Sequence, residues 1–330
     1  MNNPNDQEKT NRGIPETTGR DREKKGEKGP PTGRVGEIRF ALYLARKNPL
    51  IIAGAAISII SILLAVFSGL IVPPDTWKVS NLAVRLCWNN PLINWHISSM
   101  ATCSGTEVYP LGTDDYGRNL LQMIILALPL DLETSFEIVS SAFLIGVVLG
   151  GAAAYIGGLV DEAIMRITDI FFAFPGIVLA IVILTVYGRT LPNLTIAVLV
   201  TWWPIYVRLV RSQVLSEKEK PYIEALKSTG ASPFRILYRH ILPNSIYPVL
   251  VQFTLDIGGV ILVFSGLMFL GFSPNPKLPE LGNLVSNGIQ YVFTAPWLVI
   301  FPGLTILLIS LGFNLLGDGI RDLLDPRLRR

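Results

Sequence analysis

Six apolar runs, each close to the length a bilayer demands of a helix, constrain this chain more than any other feature. They fall at 50–72, 134–155, 165–187, 194–214, 246–272 and 295–316. A hydrocarbon core about 30 Å thick needs about 20 consecutive apolar residues in helical form. Half the residues are hydrophobic and the mean hydropathy is +0.46, high for a soluble domain. The expected fold is therefore an all-α polytopic membrane protein with six transmembrane helices. The first run is too long and too far from the N-terminus for a signal peptide, and no A-x-A site follows it. Pro73-Pro74 ends it.

Between the fourth and fifth runs lies a stretch far too charged for lipid, LSEKEKPYIEALKSTGASPFRILYRHILPNS (215–245). It carries Glu217, Lys218, Glu219, Lys220, Glu224, Lys227, Arg235 and Arg239. Pro221 suits the first turn of a helix, where its missing N–H is not needed. Gly230 falls where a C-terminal cap would sit, and Ser232-Pro233 can start a second helix. Pro243 is expected to break that helix before the fifth run. The pattern reads as helix, glycine turn, helix.

Basic residues set the orientation. The segment before the first run, the 215–245 stretch and the C-terminal RDLLDPRLRR are all rich in them. The 73–133 loop holds only Lys78, Arg85 and Arg118, against more acids. Six spans with both termini and 215–245 in the cytoplasm fit this distribution. Residues 1–36 are charged and nearly free of large apolar side chains, so a disordered cytoplasmic tail is expected. Contact with acidic lipid is one role for its basic residues, plain solvation the other. In 37–49, Ile38, Ala41, Leu42 and Ala45 share a face and favour an interfacial helix. The organisation is then the first span at 50–72, an extracytoplasmic loop at 73–133, a core of five spans at 134–317 and a cytoplasmic C-terminus at 318–330.

The chain has two His, His96 and His240, and two Cys. That leaves a multi-ligand zinc cluster unsupported, and no metal site is expected. No phosphate-binding glycine loop occurs. The chain should neither bind nor split a nucleotide, and no catalytic residue, cofactor or nucleic-acid partner is expected. Energy for any active transport must come from a partner or an ion gradient. Cys87 and Cys103 share the outer loop, where disulfides persist. A bridge closing about 15 residues would contribute about 3 kcal/mol in the chain-entropy model; the alternative is two unpaired small hydrophobes. Asp256 lies within the fifth run, where a charge is costly and marks either a pathway or a packed polar contact. Gly146, Gly150 and Ala154 recur at every fourth residue, a small-residue face for close helix packing, inside the bundle or against another subunit. Pro175 and Pro204 should kink their helices. Arg208 and Arg211 should snorkel to the cytosol. Glu133, Glu137 and Asp169 should meet water.

The 215–245 stretch resembles the EAA motif of ABC-importer permeases. Glu224-Ala225, Gly230 and Leu242-Pro243 match its spacing; Leu226 departs from the second Ala, and His240 stands where an Ile is usual, with Ile241 beside it. Four further runs resemble the C-type permease of the dipeptide/oligopeptide/nickel importer family. They are LGTDDYGRNL (111–120), DIFFAFPGIVLAI (169–181), GLMFLGFSPNPKLPELGN (266–283) and PWLVIFPGLTILLISLGFNLLGDGIRDLLDPRLR (296–329). Leu281 stands where a Trp is common.

The resemblance implies a plasma-membrane permease subunit without enzymatic activity of its own. It implies a second permease subunit as heterodimer partner, two ATP-binding subunits that hydrolyse ATP, and an extracytoplasmic substrate-binding protein. Glu224, Ala225 and Gly230, with Ile241, Leu242 and Pro243, would build the segment that couples to the ATPase. The implied substrates are peptides, with oligosaccharides or a nickel complex as alternatives. Two rival functions remain: a self-sufficient secondary transporter with Asp256 as proton site, and a membrane-bound enzyme.

Overall fold

The computed structural model describes residues 48–79, 86–87 and 109–324, and every named element among them is helical. The tail 1–36, residues 37–47 and Cys103 lie outside the described residues. Helix α1 (Pro49–Val66) opens with Pro49 in its first turn and Asn48 Oδ1 accepting the Leu50 N–H at 3.0 Å, a standard N-cap. It ends at Phe67, earlier than Pro73, and a short helical turn, Ser68–Ile71, follows.

Helix α2 (Leu120–Ile156) is 37 residues long. It begins at Leu120, inside the stretch read as loop, and so corrects the start expected at 134. The polar cluster Asp131, Glu133, Thr134 and Ser135 interrupts the apolar pattern there. The helix continues through it: Thr134 donates to the Leu130 carbonyl at 2.7 Å, and Asp131 accepts the N–H of the distant Leu281.

The third apolar run is two helices, α3 (Gly158–Phe172) and α4 (Gly176–Tyr187), bent by 84° at their junction. Pro175 removes a donor and disfavours the helical conformation at Phe174, so the expected kink is a full break. Among the described residues five helices are long and apolar enough to cross a membrane, or six if the bent pair is one crossing. Helix α5 (Leu191–Lys218) carries Pro204 without interruption.

Helix α6 (Pro221–Ser228) precedes α7, which runs from Pro233 to Phe272 over 40 residues. Pro243 does not break α7, contrary to expectation. The turn at Leu237–Ile241 is π-helical; this wider turn gives the proline ring room where the Arg239 carbonyl would otherwise clash. Helix α8 (Leu281–Gly288) leads to α9 (Trp297–Leu324), which continues past 317 into the stretch read as C-terminus.

Small residues set the helix crossings. A methyl group at Gly146 would lie 2.4 Å from the Tyr206 Cβ, and one at Gly150 2.5 Å from the Val207 carbonyl oxygen. The small-residue face of α2 is therefore filled by α5, inside the bundle. Gly258 of α7 meets Ser310 of α9, and Gly54 of α1 meets Leu315. Around these crossings Ile138, Ala142, Tyr206, Val260 and Phe264 are fully buried. Phe143 sets its ring edge-on to Tyr206 and Phe253. Leu63, Val66, Leu144 and Val148 point outward, as suits a lipid solvent.

Contacts between Gly319 and Ile51, between Gly317 and Leu255, and between Lys218 and the end of α2 fix the topology. The start of α1, the ends of α2, α5 and α9, and the start of α7 share one end of the bundle with 215–245.

Gly146→Ala should overpack the α2–α5 crossing and destabilise the bundle by about 1–3 kcal/mol. Thermal unfolding of the detergent-purified protein checks this, and an unchanged melting temperature would contradict the crossing.

Candidate functional site

Helix α6 stands at that shared end as a short projecting element. Ile223 is fully buried beneath it, whereas Glu224 and Ala225 face solvent. Its C-terminus is closed by Gly230 at φ +78. The Gly230 N–H donates to the Lys227 carbonyl at 3.0 Å and the Ala231 N–H to the Leu226 carbonyl at 3.2 Å. Those two bonds form a Schellman cap, and glycine is the residue that enters its left-handed position without strain. Leu226 and Ala231 both pack on the core, anchoring the turn. Ser232 then caps α7, its Oγ accepting from the Arg235 N–H. Ile241 is fully buried and Leu242 nearly so, with Pro243 beside them. The structure thus brings Ile241 and Leu242 into the base of the element and leaves Glu224 and Ala225 on its outer surface.

The base is tied by polar bonds that sequence patterns did not single out. Glu217, near the end of α5, is 6% exposed. Its Oε1 accepts the Tyr222 hydroxyl at 2.6 Å, and its Oε2 pairs with Lys220 Nζ at 2.5 Å. Asn244 Nδ2, in α7, donates to the Tyr222 Oη at 3.1 Å. Lys218 Nζ donates to the carbonyls of Ala154 and Tyr155, where a cation complements the C-terminus of α2.

Arg208 and Arg211 are held in ion pairs. Arg208 pairs with Asp169, and Arg211 forms a two-pronged pair with Asp161, Nη2 to Oδ2 at 2.6 Å. Both pairs join α5 to α3, so Asp169 is an ion-pair partner as well as a half-exposed one. Glu133 and Glu137 lie on the exposed surface of α2, Glu133 at the edge of an apolar cavity.

Asp256 sits on α7 against α5. Gln252 Nε2 donates to its Oδ1 at 2.9 Å, and the Tyr206 hydroxyl and Trp202 indole face the same carboxyl. A cavity of about 280 Å³ opens beside the α3–α4 break, lined by Phe171, Phe174, Thr201 and Trp202. A second, of about 500 Å³, lies between α1 and α2. Asp256 lines neither.

At the opposite end of the bundle, LGTDDYGRNL is a folded staple. Asp114 and Arg118 form a buried ion pair at 2.6 Å, and Arg118 Nη1 donates to the carbonyls of Trp77 and Lys277. The Trp297 indole donates to the Thr113 carbonyl. Cys87 is buried and disulfide-bonded.

Nearby, two fully buried carboxyls meet. Asp131 Oδ2 accepts the Leu281 N–H at 3.2 Å. Glu280 caps α8, its Oε1 and Oε2 accepting the N–H groups of Gly282 and Asn283 at 2.9 and 2.6 Å. Burial pushes the Glu280 carboxyl up to about 7, against the pull of those two N–H groups. Neither acid was singled out from the sequence; positions 131 and 280 lie far apart in the chain, which hides the pairing.

These features define a helical membrane protein with polar clusters at the two ends of its bundle. The profile described as "Binding-protein-dependent transport system inner membrane component" matches residues 142–330, and the chain belongs to that family. The dipeptide transport system permease protein DppC of Alkalihalophilus pseudofirmus is 39% identical over 295 residues, covering 89% of this chain and 91% of that one. The protein of that name from Haemophilus influenzae is 41% identical over 226 residues, 68% of this chain and 77% of its own. The glutathione transport system permease protein GsiD of Pectobacterium atrosepticum is 41% identical over 219 residues, 66% and 73% of the two chains. A chain of the MetNI methionine ABC transporter in an inward-facing form superposes with a TM-score of 0.47 at 19% identity, covering 62% of this chain and 98% of that one. The chain is thus an ABC-transporter permease, a multi-pass protein of the plasma membrane.

The Glu280 shift carries a sign. An acid whose folded value is raised stabilises the fold fully below its ordinary value, 4.5 here, and that contribution is lost as pH rises through about 7. Thermal stability should therefore fall between about pH 5 and about pH 8, and Glu280→Gln should flatten that slope. An identical slope in the variant would contradict the assignment.

Proposed function

We propose that the chain is one permease of a heterodimeric ABC importer for peptides, and that α6 is its coupling helix. In this reading the shared end of the bundle is cytoplasmic, in keeping with its basic residues. Two ATP-binding subunits dock there and supply the energy; a binding protein delivers substrate from outside. The observation that carries the reading is α6 itself: a short helix with Ile223 buried, Glu224 and Ala225 presented outward, and a capped turn at Gly230. The ATPases push on it as they close, and α5 and α7 tilt with it.

The peptide assignment is supported by relatives named for dipeptide and glutathione transport. Asp256, bonded by Gln252 one turn earlier on α7 and faced by Tyr206 and Trp202 of α5, acts in this reading as a polar contact between the two helices.

In the reconstituted complex, Gly230→Glu should abolish uptake of a labelled dipeptide while leaving the amount of assembled complex in the membrane unchanged. Wild-type uptake by that variant would overturn the coupling reading. Failure of a thermal-shift screen on the cognate binding protein to find any peptide ligand, with an oligosaccharide or nickel complex scoring, would overturn the substrate.

A further inference from the structure

We propose that the Tyr222 phenol is the joint that makes α6 a rigid lever, linking it at once to α5 and α7. The inference rests on the coupling reading above and adds positioning residues to it: Tyr222, Glu217 and Asn244.

The chain reaches α6 unequally from its two sides. From α5 only Glu219 and Lys220 intervene before Pro221. From α7 the covalent route runs around the Gly230 turn and through the π-helical turn at Leu237–Ile241 before it reaches Asn244. A π turn interrupts the regular α-helical ladder. Force on α6 reaches α5 through two residues but reaches α7 by covalent bonds only along that longer route.

The phenol short-circuits that route. Its oxygen donates to Glu217 Oε1 at 2.6 Å and accepts from Asn244 Nδ2 at 3.1 Å. A phenol has one proton to give. The His240 carbonyl, at 3.4 Å, competes poorly for it with a carboxylate at 2.6 Å. Glu217 is held in turn by Lys220, whose ammonium pairs with Oε2. Three segments therefore meet at one oxygen atom: the end of α5, the start of α6 and the part of α7 just beyond its π turn. Carboxylate acceptors make the stronger kind of hydrogen bond, and Glu217 is shielded from water.

The test is the ratio of labelled alanyl-alanine taken up to ATP hydrolysed, in proteoliposomes holding the whole importer. Tyr222→Phe removes only the hydroxyl and should lower that ratio on the order of tenfold, with assembly unchanged. Glu217→Gln still offers an acceptor oxygen and should keep most of the coupling. A wild-type ratio for Tyr222→Phe, alongside an uncoupled Gly230→Glu, would overturn the joint and leave the lever standing. Wild-type ratios for both would overturn the lever. Should Tyr222→Phe fail to assemble, Asn244→Ala cuts the α7 branch alone: a lowered ratio supports the joint and a wild-type ratio overturns it.

Discussion

A bilayer offers no water to an unpaired peptide group, so every backbone donor and acceptor within it must be satisfied by the protein. The rest of the structure follows from that constraint. It makes each crossing a helix, and it removes the usual reason for helices to associate, because lipid is as apolar as their side chains. Close approach has to supply the association. Gly146 and Gly150 bring α2 against α5, Gly258 brings α7 against α9, and Gly54 brings α1 against α9. Where the backbone departs from the helix, at the α3–α4 break, a cavity with Thr201 and aromatic rings on its wall lies beside it.

The same constraint drives polar chemistry to the ends of the bundle. At one end, Asp114 and Arg118 lock the loop to the segment before α8, and Asp131 meets Glu280. At the other, Glu217, Tyr222 and Asn244 converge beneath α6, and two arginine–aspartate pairs join α5 to α3. Between them Asp256 is held by Gln252. In the proposed mechanism the polar end at α6 receives force, and the tight glycine crossings transmit it because packed helices move as units.

Local signals carried much of this. The apolar runs located the long helices, and Pro221, Gly230 and Ser232-Pro233 located α6, its cap and the start of α7, because each acts through its own backbone. The spacing of Gly146 and Gly150 announced a close crossing, although only the structure names α5 as the partner. What stayed hidden depends on distant residues. Pro243 is harmless because the preceding turn is π-helical, whereas Pro175 breaks its run completely and the chain turns there by 84°. The early start of α2 was masked by polar residues that long-range packing makes tolerable. The Asp131–Glu280 meeting and the arginine–aspartate pairs join residues far apart in sequence, beyond any periodic pattern.

The central claim is that α6 contacts the ATPase through the face bearing Glu224 and Ala225. Its most direct test is a photoreactive side chain placed at Ala225 in the assembled importer. The account predicts crosslinking to an ATP-binding subunit, with a yield that changes when nucleotide closes the ATPase pair. Crosslinking only to lipid, or to the extracytoplasmic binding protein, would contradict it.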